Sequence, residues 1–188
     1  MTMVYVSLPK IFDQFCSYFD GKMKWSAAKN SEWTQSILRF FSDPRTKQEN
    51  LFPGAEVDEK YEYMNIDYVW RVVGSSGSFI ELAVEHENTG TVKTFLEQEV
   101  RHLIDLKADN KIAITYPHIG DEERLMQAVS DSVRLDLRRQ DEHYLILLGY
   151  ATRTGEPAAP AILFKGHFID SSGKKTSVLQ KVILQAVT

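Results

Sequence analysis

The chain has 188 residues, enough for one domain that buries roughly two-thirds of its unfolded surface, and its 43% hydrophobic and 26% charged content is ordinary for a globular protein. No apolar run approaches the ~18 residues of a membrane span, no secretory signal pattern opens the chain, and the lone Cys16 excludes an internal disulfide or cysteine-rich zinc site, so a cytoplasmic protein with no membrane partner is expected. A net charge of -4 argues against a surface coated in basic residues and leaves local basic patches open.

In chain order, Ile11 to Phe19 reads as a short amphipathic helix. A second helix starts from a cap at Asn30 or Ser31 and runs to about Phe41, with Trp33, Ile37, Leu38 and Phe41 on one face. Asp43-Pro44 stops it, and the polar stretch from Lys47 to Gly54 reads as a loop. Tyr61 to Val73 and Ser78 to Glu87 read as two long strands around Gly74-Ser75-Ser76-Gly77. The spacing of Val92, Leu96, Val100, Leu103 and Leu106 predicts a helix from Thr91 to about Ala108, followed by a strand from Lys111 to Tyr116. A helix over about Glu122 to Arg139 precedes strands at His143 to Tyr150 and Ala161 to Ile169, and the tail from Thr176 to Val187 fits either helix or strand. This order predicts a single α/β domain over residues 1–188, a mixed sheet flanked by helices, with the Lys111 strand parallel to the Ser78–Glu87 strand.

The hairpin concentrates the chemistry. Alternation places Ile66, Tyr68, Trp70 and Val72 on one face of the first strand and Asn65, Asp67, Val69 and Arg71 on the other. In the second strand Ile80, Leu82, Val84 and His86 oppose Glu81, Ala83, Glu85 and Glu87. The apolar sets must share a side, which fixes the register to steps of two. A three-residue loop, Ser75-Ser76-Gly77, with glycine in the left-handed position, then pairs Gly74 with Ser78, Trp70 with Leu82, Tyr68 with Val84, Arg71 with Glu81, and Asp67 with Glu85. Arg71 and Glu81 read as a structural ion pair. Asp67 and Glu85 are like charges set opposite one another, which destabilises a sheet unless a cation intervenes. Asp67, Glu85 and Glu87 are therefore candidate ligands for Mg2+ or Mn2+, which favour carboxylate oxygens. A bare acidic surface neutralised by lysine or arginine is the competing reading.

The segments Asn65-Ile66-Asp67-Tyr68-Val69-Trp70 and Ile80-Glu81-Leu82-Ala83-Val84-Glu85-His86-Glu87-Asn88, with the following helix and Lys111-Ile112-Ala113-Ile114-Thr115-Tyr116, resemble the core of the PD-(D/E)XK nuclease superfamily. The resemblance spans roughly Glu32 to Pro117 and implies a restriction endonuclease-like fold. It also implies metal-dependent hydrolysis of phosphodiester bonds, in DNA, with Asp67 and Glu85 as the metal-binding pair. Glu87 stands where the family usually carries lysine, in a Glu-x-Glu variant that some members share. Glu87 as general base and a route without a side-chain base both stay open. Many members place an acidic residue of the first helix beside the metal; Glu32 is the candidate here, against a simple helix-dipole role. Many act as dimers, so a homodimer is allowed. The alternatives are a catalytically silent member of the same fold that binds nucleic acid or protein, and a metal-free interaction domain.

Other residues carry weaker signals. His86 reads as a core histidine, His102 as a surface one, and Lys93 as an exposed helix lysine. Arg134, Arg138 and Arg139 read as a solvated basic face beside Asp131 and Asp136, and Lys165, His167, Lys174 and Lys175 form a second basic cluster.

Overall fold

The computed structural model describes residues 6–22, 30–74, 77–88, 91–118, 120–135, 141–152 and 161–184. Three helices come first: α1 (Leu8–Phe19), α2 (Asn30–Ser42) and α3 (Pro44–Asn50). Strands β1 (Glu56–Tyr63), β2 (Ile66–Gly74) and β3 (Gly77–Glu87) follow. A helical crossover of α4 (Val92–Phe95), a π turn (Leu96–Val100) and α5 (Arg101–Asp105) leads to β4 (Ala108–Thr115). Helix α6 (Glu122–Leu135) then connects to β5 (His143–Thr152), β6 (Ala161–Asp170) and β7 (Lys175–Leu184).

The seven strands lie side by side in chain order. The outer pairs are antiparallel, whereas β3–β4 and β4–β5 are parallel, each reached by a helical crossover. The fold is therefore α/β with a mixed sheet flanked by helices, as the element order predicts. Both crossovers advance in the same direction across the sheet, so connections of one hand leave both on the same face. On that face Phe95, Val100, Leu103, Leu125 and Val129 pack on Val69, Ala83, Ala113 and Ile146. On the opposite face α1 and α2 bring Phe12, Phe15, Ile37 and Phe41 onto Tyr68, Trp70, Leu82, Val84 and Ile112. At Gly166 an added Cβ would lie 2.8 Å from the Phe12 ring, so the glycine sets how closely α1 approaches β6. Among the described residues no helix is long and apolar enough to cross a membrane.

Several local readings need correction. Asp43-Pro44 ends α2 and also starts α3: the Asp43 carboxylate accepts from the Arg45 backbone N–H at 2.8 Å, and Pro44 enters the first turn, where its missing N–H is no loss. The first long strand is two strands, β1 and β2, because Met64 and Asn65 both adopt positive φ (53° and 66°) and turn the chain back. Strand β4 begins at Ala108, since the crossover helix ends at Asp105. The tail forms β7. The Asn30 and Ser31 side chains, Ser75 and Ser76, and Asp136, Arg138 and Arg139 lie outside the described residues.

The central hairpin reaches the predicted register by a different route. Trp70 pairs with Leu82 and Tyr68 with Val84, as expected, but the closing pair is Gly74 with Gly77. A bulge then absorbs the extra residue, so Arg71 pairs with Ile80 and Glu81 has no partner in the β2 ladder. The expected Arg71–Glu81 ion pair is thereby lost. Arg71 binds the Asp58 carboxylate on β1 instead. The bulge also flips parity: Ile80 packs with Ala83 against the crossover face rather than with Leu82. Glu81 is 3% exposed, accepts from Asn110 at 3.1 Å, and is pushed up to about 7, first by burial and then by Asp109.

Buried polar atoms pin the helices to the sheet. Trp70 Nε1 donates to the Phe41 carbonyl at 3.0 Å, which fixes the end of α2, while the Tyr68 hydroxyl beside it donates to the Glu59 carboxylate of β1. Lys111 on β4 is fully buried and donates to Glu142 at 2.5 Å and to the Tyr144 hydroxyl at 3.2 Å. Removing one partner of a buried pair strands the other charge, which costs about 3–5 kcal/mol. Urea unfolding of Glu142→Gln should show a loss of that order. Adding Lys111→Met to the same variant should restore most of it, and no restoration would mean that Lys111 depends on other groups.

Candidate metal centre

The β2–β3 ladder stops at Tyr68–Val84. One step further out, at Asp67 and Glu85, side chains take over from the backbone. The Asp67 backbone N–H donates to Glu85 Oε2 at 3.1 Å, and the His86 backbone N–H donates to Asp67 Oδ2 at 2.8 Å. The two strands splay here because β2 starts at its turn while β3 continues beside β4 as far as Glu87–Thr115. Each acid thus satisfies an N–H of the opposite strand, and the two are held within one small region.

The crossover helix covers this end of the hairpin and adds two groups. Glu85, Glu99 and His102 each offer a ligand atom, and these atoms all lie within 4.8 Å of one another. His102 Nδ1 is 3.3 Å from Glu85 Oε1. Glu99 lies in the π turn, one residue before its end at Val100, and His102 lies in the following α turn, three residues on, so both face β3. Single π turns inside helices recur at functional sites, where the extra residue re-aims neighbouring side chains.

The electrostatics are those of crowded acids. Glu85 is 1% exposed, and burial first, then Glu99 and Asp67, lift its carboxyl far above the usual range. Glu99 is also raised, by burial and then by Asp67 and Glu87. Asp67 is raised by burial and by Glu62 and Glu87, with the His86 amide working against the shift. Among the described residues no lysine or arginine forms an ion pair with Asp67, Glu85 or Glu99. Burial and mutual repulsion therefore favour the protonated form of both carboxyls, and His102 is the nitrogen that faces them, 3.3 Å from Glu85 Oε1.

The other sequence candidates take distinct places. Glu87 ends β3, half-buried, close enough to raise Asp67 and Glu99. Glu32 is exposed in the first turn of α2 and is not in the group whose ligand atoms converge. Lys93 pairs loosely with Glu97 at 3.7 Å. Arg134 pairs with Asp131 at 2.7 Å, while Lys165 and His167 both approach Glu122, at 2.6 and 3.1 Å.

His102 is the clear revision: it is half-buried against Glu85 rather than on open surface. Neither Glu99 nor His102 was singled out by the hairpin pattern. The available signal was the Glu99-Val100-Arg101-His102 spacing on the predicted crossover helix, an acid and an imidazole three residues apart, as carboxylate-rich metal sites use.

A polar chain locks the site to α2. Trp33 Nε1 donates to the Tyr116 hydroxyl at 2.6 Å, which lies 3.0 Å from His86 Nε2; His86 Nδ1 lies 3.1 Å from the Thr34 hydroxyl. The tryptophan N–H can only donate, so Tyr116 passes its own proton to Nε2 and the histidine donates from Nδ1. That makes His86 neutral, in agreement with burial, which lowers it to about 3. Asn88 also donates to Thr34, at 2.7 Å. Two clefts flank this end of β3. One, of about 530 Å³, is lined by Asp67, Glu62, Tyr61, Thr34 and Arg39. The other, of about 490 Å³, is lined by Asn88, Thr91, Thr115, His118 and Arg124.

Compared with known proteins, the chain matches no family model and no curated protein. The site therefore has to be read from its own chemistry.

The raised Glu85 gives a signed expectation. Its native value lies above the unfolded one near 4.5, so the native state holds the extra proton at neutral pH. Stability is then greatest for this group at low pH and falls as pH rises above about 4.5, by at most about 1.4 kcal/mol per pH unit for one proton. In chelator, Glu85→Gln should be more stable than wild type at pH 8, on the order of 2 kcal/mol, with the gap closing toward pH 5. Parallel stability–pH curves for the two proteins would show that Glu85 is not the group under strain.

Proposed function

We propose that this protein is a metal-dependent nuclease acting on DNA, a member of the PD-(D/E)XK superfamily in its Glu-x-Glu form. The observation that carries the reading is the meeting of Asp67 and Glu85 at the end of the hairpin ladder, with Glu85 buried and, among the described residues, no lysine or arginine in an ion pair with either. The donor types suit Mg2+ or Mn2+: carboxylates of Asp67, Glu85 and Glu87 lie on adjacent strands, and among the described residues Glu85 is the member of this set whose ligand atoms converge with other donors, whereas Asp67 and Glu87 stand outside that group. When bound, the cation would supply charge neutralisation and polarisation of a phosphodiester.

The chain's own residues divide the remaining work. Glu87, at the last position of β3 and less buried than Glu85, would be the group to take a proton from an attacking water, if a side-chain base is used. Arg39 and Arg124 line the two clefts beside β3 and offer guanidinium groups to the flanking phosphates. The neutral His86, tied to Tyr116 and Thr34, holds the end of β3 against α2 and so keeps Asp67 aimed through its backbone N–H. The buried thiol of Cys16 fits the reducing cytoplasm.

A second reading, a catalytically silent member that binds nucleic acid, is favoured by one feature. Glu87 occupies the place where the family carries lysine, which leaves the region round Asp67 dominated by acids.

Cleavage of single- and double-stranded DNA, with Mg2+ or Mn2+ and with a chelator control, decides between them. Wild type should cleave only with metal, and Asp67→Ala and Glu85→Ala should each reduce the rate by about 100-fold or more. Activity retained in both variants would remove these residues from catalysis. Retained DNA binding without cleavage by wild type would support the silent reading.

A further inference from the structure

The crossover helix changes what kind of cation the centre suits. Mg2+ sites are built from oxygen alone, at near-octahedral geometry with several waters retained. An imidazole donor shifts the preference toward first-row transition metals, which bind nitrogen well. Here the three groups with mutually close ligand atoms are two carboxylates and one imidazole, contributed by two elements packed on each other: Glu85 from β3, with Glu99 and His102 from the crossover.

We propose that Glu85, Glu99 and His102 form a mixed carboxylate–imidazole site for a first-row transition dication, with Mn2+ as the working probe, that discriminates against Mg2+. The arrangement has the features such a site needs. Its ligand atoms are gathered within 4.8 Å before any ion arrives, so little reorganisation is required. Glu85 is buried and rigid, held by the Asp67 N–H at 3.1 Å. His102 is the accessible side, with 36% of its side chain exposed against 2% for Glu85, which gives an ion a way in past the imidazole. Among the described residues, the charged groups that act on Glu85 and Glu99 are acids: Asp67 and Glu87 of the hairpin, and the two carboxylates on each other across the β3–crossover contact. Two carboxylates also neutralise a dication fully, whereas a mutual hydrogen bond between them leaves one negative charge in place.

The inference deepens the proposed function and rests on it only in that both use Glu85; its test needs no nucleic acid. Full-length protein stripped of metal is titrated with Mn2+ and, separately, with Mg2+, following free Mn2+ by electron paramagnetic resonance and both ions by calorimetry. Wild type should bind Mn2+ at least about tenfold more tightly than Mg2+, and the bound Mn2+ should show 14N modulation from one imidazole. His102→Ala should weaken Mn2+ by about tenfold or more, abolish the nitrogen signal and leave Mg2+ affinity within about twofold. Glu99→Gln should weaken both ions. Because His102 is partly exposed, the variant should melt in chelator like wild type; His102→Gln, which also lacks the ring nitrogen, serves if the alanine variant does not fold.

Unchanged Mn2+ binding and nitrogen signal in the His102 variants would overturn this site while leaving an all-oxygen centre at Asp67, Glu85 and Glu87 intact. Failure of wild type to bind either ion would overturn this site and the metal-dependent nuclease reading together.

Discussion

A carboxyl group sealed from water next to two others constrains everything built around β3. Glu85 cannot be solvated, has no lysine or arginine paired with it among the described residues, and faces Glu99 and Asp67. Burying an unpaired charge costs several kcal/mol, so the group must be protonated, or shared with a cation, for the hairpin and the crossover helix to pack as they do. A structural ion pair would be the ordinary solution. The same molecule uses that solution a few residues away, where Lys111 is buried on Glu142 and Tyr144. The contrast between the two sites is chemical: one buried acid is given a lysine by the fold, and the other is given more acids and a single imidazole, His102.

Three departures from regular geometry make that crowding geometrically achievable. The left-handed turn at Met64 and Asn65 starts β2 only at Ile66, so little of the strand lies beyond the last ladder pair and Asp67 turns its carboxylate onto the His86 amide. The bulge at Glu81 resets the parity of β3, which allows a two-residue closing turn while Trp70 still meets Leu82. The π turn at Leu96–Val100 adds a residue to the crossover helix immediately before Arg101 and His102. Each device costs local regularity, and each bears on a side chain or register that the site uses.

The polar chain from Trp33 through Tyr116 and His86 to Thr34 acts as the support beneath the acids. Every group in it is a donor or acceptor with one consistent proton assignment, so the ends of α2, β3 and β4 move together or not at all. Its uncharged state matters, since an imidazolium at His86 would stand one residue from Glu85 and offer the acids a competing positive charge. Burial on the α2 face of the sheet prevents that.

The alternation of Tyr68-Val69-Trp70 and Leu82-Ala83-Val84, together with the helical spacing from Val92 to Leu106, was enough to determine the central hairpin, its Trp70–Leu82 and Tyr68–Val84 pairs and the parallel placement of β4, because hydrophobic periodicity is a local property that the sheet must respect. Parity failed at the start of β2: Ile66 packs with Val69 on the crossover face and Asp67 lines the cleft beside α2, so Asp67 meets Glu85 through its backbone N–H rather than as a same-face side-chain pair. Local sequence could not decide the Met64–Asn65 turn, the bulge that compensates the shorter loop, or that Pro44, besides stopping α2, would start α3, since each depends on which conformer the rest of the fold rewards. Nor could it place Glu99 and His102, because the rotation of a crossover helix about its own axis is set by how Phe95, Val100 and Leu103 pack on the sheet. The acids on the strands were written in the sequence; the imidazole that joins them was decided by tertiary packing.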